Sequence, residues 1–311
     1  GGNDANNLVI PTDNATYAAY AAGRGALALP QNAVLPITPR TNDGRTWGIH
    51  PAMTELRNLF NSGQFAVLAN VGTLAYPMTK AQYTSGSVPR PLQLFSHNDQ
   101  QVEWQSSVAD KPFVTGWGGR VADLTHAFND NTSISMAISL NGQNSFQVGK
   151  RVVQFAVNPG GAIALSSSAG SSTPAGVRTL AQNDLLAARN ANLFEAAFSG
   201  VTRNAIDDSA LISGILTGNP PFTTAFPGTG LGQQLRTIAR LIAASKELGL
   251  KRQIFFARIG GWDLHDAQLG AHANLFADVS RSVAAFYRTT VELGCADQVT
   301  LFSASDFGRT Y

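Results

Sequence analysis

Residues 253–266 read QIFFARIGGWDLHD: an apolar run, two glycines, then carboxylates around a single imidazole. The Ile and Phe content of Gln253–Ile259 suits a buried strand. Gly260 and Gly261 allow a sharp backbone turn directly after it. Further on, His272–Leu293 places apolar residues three and four apart, the spacing of a helix that lays one face on a core. Strand, glycine turn and helix in that order mark an α/β chain.

The same alternation continues outward from this stretch. Strands are predicted at Phe65–Val71, Ser133–Leu140 and Gln298–Ser303, and helices at Pro51–Asn61, Ser96–Ser107, Trp117–Asn129, Leu180–Phe198 and Leu231–Leu248. The expected architecture is an α/β sandwich with a largely parallel sheet. Pro159–Gly176 is rich in Gly, Ser and Ala and reads as a surface flap, within an insertion around residues 141–176. Gly218–Gly230 carries Pro220, Pro221 and Pro227 and reads as a loop entering the next helix. Neither stretch has the length or polarity of a linker, so one domain over residues 1–311 is expected.

Composition narrows the function. Lys and Arg total 22 against 20 Asp and Glu, and a net charge of +2 supplies no field for holding nucleic acid or an anionic membrane. Charged residues make up 14%, against roughly 25% in an average soluble protein, so the surface is built from neutral amides and hydroxyls, as in many exported proteins. No apolar run approaches the roughly 18 residues that span a bilayer. Cys295 is the only cysteine, which excludes an internal disulfide and any multi-cysteine zinc or iron–sulfur cluster. It reads as a small buried hydrophobe.

Three Gly-containing turns carry carboxylates: Gly1-Gly2-Asn3-Asp4, Gly260–Asp266, and Ser305-Asp306-Phe307-Gly308-Arg309-Thr310. The last two follow predicted strands. Loops leaving strand ends of an open parallel sheet meet in one crevice, so Asp263, His265 and Asp306 are candidates for a shared site. Carboxylate oxygen with imidazole nitrogen suits zinc or manganese, with calcium or magnesium as the other candidates, and Asp-x-His on a turn can place both groups on one ion. Structural roles stand beside these: His265 as a cap or carbonyl partner, Asp4 as a turn carboxylate, Asp306 as an Asx turn or partner of Arg309.

A fourth segment is Leu94-Phe95-Ser96-His97-Asn98-Asp99-Gln100. Ser96 at a helix N-terminus stands where free N–H groups favour an anionic ester, and it is the candidate nucleophile. Its structural alternative is an ordinary N-cap with Asp99 at the third helical position. His97 reads as a ligand, a positioning group or a structural histidine. His50, His126 and His272 have no ligand-spaced partners, and Trp47, Trp104 and Trp117 read as packing residues. There is no Walker lysine motif and no Gly-x-Ser-x-Gly elbow.

Taken together with Leu68-Ala69-Asn70-Val71-Gly72 and Gly116-Trp117-Gly118-Gly119-Arg120, these motifs in this order resemble an exported bacterial family. That family is described only as a domain of unknown function and is placed with the alkaline phosphatase and sulfatase superfamily. The resemblance implies a three-layer, alkaline-phosphatase-like sandwich and a metal-dependent hydrolase. It implies that Asp4, Asp263, His265 and Asp306 are metal ligands, with Thr300–Asp306 similar to a strand ending in Thr-Ala-Asp-His. Phe307 stands where that motif has its histidine and cannot coordinate a metal. The comparison also implies truncation at both ends: a first strand before Gly1, and an Asp-His-Gly-Trp-Gly segment after Tyr311. A twin-arginine signal, with periplasmic or secreted location, belongs to the same expectation.

Two functions follow. One is a hydrolase of phosphate or sulfate esters acting on a small-molecule or glycan ester, with Ser96 as nucleophile or substrate ligand. The other is a non-catalytic surface or carbohydrate-associated protein that keeps the superfamily fold. Phe307 and the abundant Asn, Gln, Ser and aromatic residues favour the second; three acidic turns at one sheet edge favour the first.

Overall fold

The computed structural model describes residues 2–41, 43–158, 161–162, 173–188, 191–306 and 308. In chain order the elements begin with β1 (Val9–Pro11), α1 (Asn14–Arg24), β2 (Leu35–Ile37), β3 (Trp47–Ile49), α2 (Thr54–Asn61), α3 (Lys80–Ser85) and α4 (His97–Ser106). Next come α5 (Trp117–Thr125), β4 (Ala137–Ser139), β5 (Phe155–Asn158), β6 (Gly161–Ala162) and α6 (Pro174–Ala187). The chain continues with α7 (Leu193–Thr217), α8 (Gly230–Ala243), α9 (Ser245–Leu248), β7 (Ile254–Phe256) and α10 (Gln268–Glu292). The fold is mixed α/β, in two compact units.

The first unit comprises Gly1–Trp117, Phe222–Arg236 and Arg258–Tyr311. Its sheet is antiparallel, with β3 paired between β1 and β2. Strand alternation sorts the side chains of this sheet onto two cores. Ile10 joins Tyr20, Leu29 and Val34. Ile37 and Ile49 join Met53, Leu56, Trp262 and Phe276. Gly48 lies opposite Ile10 and Pro36 in the register, on the Ile10 side. A Cβ there would stand 2.4 Å from Val34 Cγ1 and 2.8 Å from the Leu35 carbonyl oxygen, so only glycine fits. Helices α2 and α10 are joined through Ser280, whose hydroxyl accepts from the Leu56 N–H at 3.2 Å and donates to the Glu55 carboxylate at 2.7 Å. Buried Ser282, Ala284 and Ala285 keep that helix slim. At its far end Glu292 accepts from both the N–H and the hydroxyl of Thr223 and of Thr224, which ties down the proline-rich loop.

The second unit comprises Gly118–Pro221 and Thr237–Ala257. Its sheet runs β6-β5-β4-β7, with β5, β4 and β7 parallel and β6 antiparallel at the edge. Every residue of β4 is buried, as a strand covered on both faces requires. The fully buried Gln147 amide donates to the Ile138 and Ile254 carbonyls at 3.1 and 2.9 Å, joining β4 to β7. Asp123 accepts the N–H groups of Lys150, Arg151 and Val152 at 2.6, 2.9 and 2.8 Å. Burial raises its pKa, but those three donors outweigh it and hold the carboxyl below its ordinary value.

Several expectations change at this level. Ser133–Leu140 and Gln253–Ile259 contain β4 and β7, but Phe65–Val71 and Gln298–Ser303 form no strand. Leu68 and Val71 are 83% and 70% exposed, and apolar content without a neighbouring backbone edge makes no ladder. The helix expected over Leu180–Phe198 belongs to two helices, because α6 stops at Ala187 and α7 starts behind the Asn192 cap. Most of the Pro159–Gly176 flap lies outside the described residues.

Gly48→Ala is expected to cost about 1–3 kcal/mol of stability through the Val34 clash, read as a lower urea midpoint at unchanged slope. A midpoint within error of wild type would show that the Val34 side chain and the Leu35 backbone both give way.

Candidate functional site

Helix α4 opens at Ser96, whose extended backbone (φ −96°, ψ 121°) and hydroxyl cap the helix by accepting the Asp99 N–H at 3.3 Å. The capping places His97 at the first helical position, and Gln101 one turn on along the same face. Asp263 is set by its neighbour Trp262, which is buried edge-on against Phe276 at a centroid distance of 5.1 Å.

These segments meet at the His97 ring. Its Nδ1 lies 2.7 Å from Asp306 Oδ2, and its Nε2 lies 3.0 Å from Asp263 Oδ2. His265 Nε2 approaches the same Asp263 oxygen at 3.1 Å. Gln101 Nε2 donates to Asp306 Oδ2 at 3.5 Å, and the Ser305 hydroxyl donates to Asp306 Oδ1 at 3.4 Å. The side chain of Asp306 is 1% exposed, whereas Asp263, His97 and His265 are 32%, 39% and 75% exposed. The cluster thus has a buried carboxylate at its base and an open side of carboxylate and imidazole. A ring with a carboxylate on each nitrogen holds its second proton firmly. The bond to Asp306 raises the His97 pKa, burial opposes this, and the bond to Asp263 adds to the rise.

Of the residues singled out in the sequence, Asp263, His265 and Asp306 come together around His97. Asp4 is engaged elsewhere: Arg24 and Gln268 occupy Oδ2, while the N–H and side-chain amide of Asn6 reach Oδ1 at 3.2 and 3.3 Å. Ser96 serves as the helix cap. Phe307, Arg309 and Thr310 lie outside the described residues. Among the described residues, no three His, Cys, Asp or Glu side chains stand as a ready-made ligand set for one ion. The His97 ring lies between the two carboxylates.

Sequence reasoning left His97 open as ligand, positioning group or structural residue, and it is the hub. Its signal was the Ser-His-Asn-Asp run at a helix start. Gln101 had none beyond its spacing from His97. The remaining histidines are structural. His50 Nδ1 accepts the Ala52 N–H at 3.1 Å, and burial lowers its pKa to about 4, with a smaller contribution from His272. His126 Nε2 is bonded to the Thr132 carbonyl at 3.0 Å, so that ring nitrogen donates. Cys295 is half-buried, and burial pushes its thiol up.

No protein-family model, no curated protein and no solved structure matches this chain.

Two titrations are expected to diverge in an NMR measurement on the metal-free protein: His97 keeps its proton above pH 6.5, and His50 stays neutral down to about pH 4. Because the folded pKa of His50 lies below its unfolded value, its contribution to stability is complete above pH 6.5 and declines as pH falls toward 4. Asp306→Asn is expected to bring the His97 midpoint down; an unmoved midpoint would mean the carboxylate does not hold the ring proton.

Proposed function

We propose that this protein is a metal-dependent hydrolase of phosphate or sulfate esters, with Asp263, His97 and His265 as its cation-holding groups and Asp306 as the carboxylate behind them that holds the His97 ring. The observation that carries the reading is the convergence on the His97 ring of two carboxylates from segments 166 and 209 residues away, with a second imidazole, His265, on one of them. Titratable groups gathered from distant turns at a half-open position, one of them with a shifted pKa, are the pattern of a functional site. Oxygen and nitrogen donors together suit zinc or manganese. The fit requires the imidazole to give up a ring proton, so cation and proton compete for the same nitrogen and affinity rises with pH. When bound, such a cation neutralises ester oxygens and lowers the pKa of a hydroxyl or water. Asp306, closed off from water and steadied by Gln101 and Ser305, orients the His97 ring through Nδ1. His265 and Asp263 form the exposed rim that an ester would meet.

The finer fold, a three-layer alkaline-phosphatase-like sandwich in an exported member of that superfamily, belongs to the same proposal. Its support is the parallel trio β5-β4-β7 and the motif order along the chain. A second reading, a non-catalytic carbohydrate-associated protein, is favoured by the half-exposed stack of Trp117 on Phe302, 5.3 Å between centroids, and by the capping role of Ser96. An aromatic face of that kind suits a sugar ring.

Elemental analysis and calorimetry with zinc and manganese are expected to show binding that strengthens with pH and is lost in Asp263→Ala. Turnover of p-nitrophenyl phosphate or sulfate is expected to fall at least 100-fold in that variant. Absence of metal binding and of metal-dependent turnover would remove the hydrolase reading. Glycan binding that survives both a chelator and Asp263→Ala would establish the second one.

A further inference from the structure

Asn3 makes three contacts that none of the chemistry above uses. Its backbone N–H donates to the Ser305 hydroxyl at 2.8 Å. Its backbone pairs in parallel with Gly308, on the other side of Asp306 from Ser305. Its side-chain oxygen lies 2.9 Å from Nε2 of His272, which is 1% exposed and wedged between Trp262 and Phe276 at centroid distances of 5.4 and 4.4 Å. Asp306 thus lies between the Ser305 hydroxyl and the Gly308 backbone, both bonded to a residue that is itself pinned to the aromatic core. The Ser305 hydroxyl, which accepts the Asn3 N–H, also donates to Asp306 Oδ1 at 3.4 Å.

We propose that Asn3 and Ser305 are positioning residues that set the orientation of the Asp306 carboxylate, and through it the His97 ring, for the cation-holding cluster. The Asp4 carboxylate is committed to Arg24, Gln268 and Asn6, so the opening Gly-Gly-Asn-Asp segment serves the site through its asparagine. The link to His272 extends the constraint from the half-open cluster to the core: Trp262, which sets Asp263, touches the same histidine. Both carboxylates facing His97 are therefore referred to a single buried ring. Groups behind the ligands of a metal site commonly change its affinity 10–100-fold when removed, because the ligands lose their preset orientation.

This inference rests on the proposed metal site for its consequence but not for its geometry, and the test separates the two. In the metal-free full chain, the His97 Nδ1 proton bonded to Asp306 is expected as a downfield resonance slow to exchange with solvent. That resonance should vanish in Ser305→Ala, persist in Ser305→Thr, which keeps the hydroxyl, and broaden in Asn3→Ala, which keeps the backbone bond to Ser305 but cuts its tie to His272. All three variants should keep the wild-type far-ultraviolet spectrum and a cooperative melt, since Ser305 is exposed and Asn3 lies outside the cores. Calorimetry with zinc should then show affinity roughly 10-fold weaker in the two alanine variants and near wild type in Ser305→Thr. An unchanged His97 resonance in Ser305→Ala and Asn3→Ala overturns the positioning role, whatever the metal result. Loss of the resonance in Ser305→Ala, its broadening in Asn3→Ala and its retention in Ser305→Thr, with a wild type that takes up no zinc or manganese, uphold the positioning role and overturn the hydrolase reading alone.

Discussion

The His97 imidazole between Asp306 and Asp263 is the contact on which the candidate site depends. Two carboxylates facing one small space repel, and Asp306 is almost wholly removed from water. A doubly protonated ring between them satisfies both and pays a cost of its own, because a cation at the first position of a helix opposes the macrodipole. Ser96 as cap and Asp99 in the first turn offset part of that cost. The remainder is met by the short contact at Nδ1, a charge-assisted bond to a buried partner. The arrangement therefore favours a positive charge on the His97 ring.

Behind the cluster the first unit is organised to hold its turns still. Trp262 meets His272 and Phe276 edge to face, while His272 and His50 lie tilted against Phe276 at 4.4 and 4.8 Å. Imidazoles buried among aromatic rings stay neutral and fill space as rings do. The Asp4 and Arg24 pair, each side chain 3% exposed, is a second rigid point. Burying an ion pair gains little stability over apolar residues, but removing one partner strands the other, so the pair fixes where the N-terminal segment runs. That segment carries Asn3 to the Asp306 turn.

Much of the local structure was legible. The helices at Pro51–Asn61, Ser96–Ser107 and His272–Leu293 appear within a few residues of expectation, because each has its own apolar stripe or cap. Ser133–Leu140 holds a fully buried strand, as its apolar content implied. The expected strands at Phe65–Val71 and Gln298–Ser303 failed for a different reason: a strand is completed by its neighbour, and no periodicity in these residues says whether one arrives. The break between α6 and α7 went unseen because the apolar spacing on either side of it is nearly continuous.

By itself the sequence determined which turns carry carboxylates, which residue caps α4 and which residue types are available to hold a cation. Tertiary structure alone decided that Asp263 and Asp306 face one imidazole, and that Asp4 turns to Arg24 instead of joining them. Spacing along a chain reports neighbours within a helical turn or along a strand. Partners hundreds of residues apart are chosen by which cores bury Trp262, His272 and Ile49, and that choice is made only when the whole unit folds.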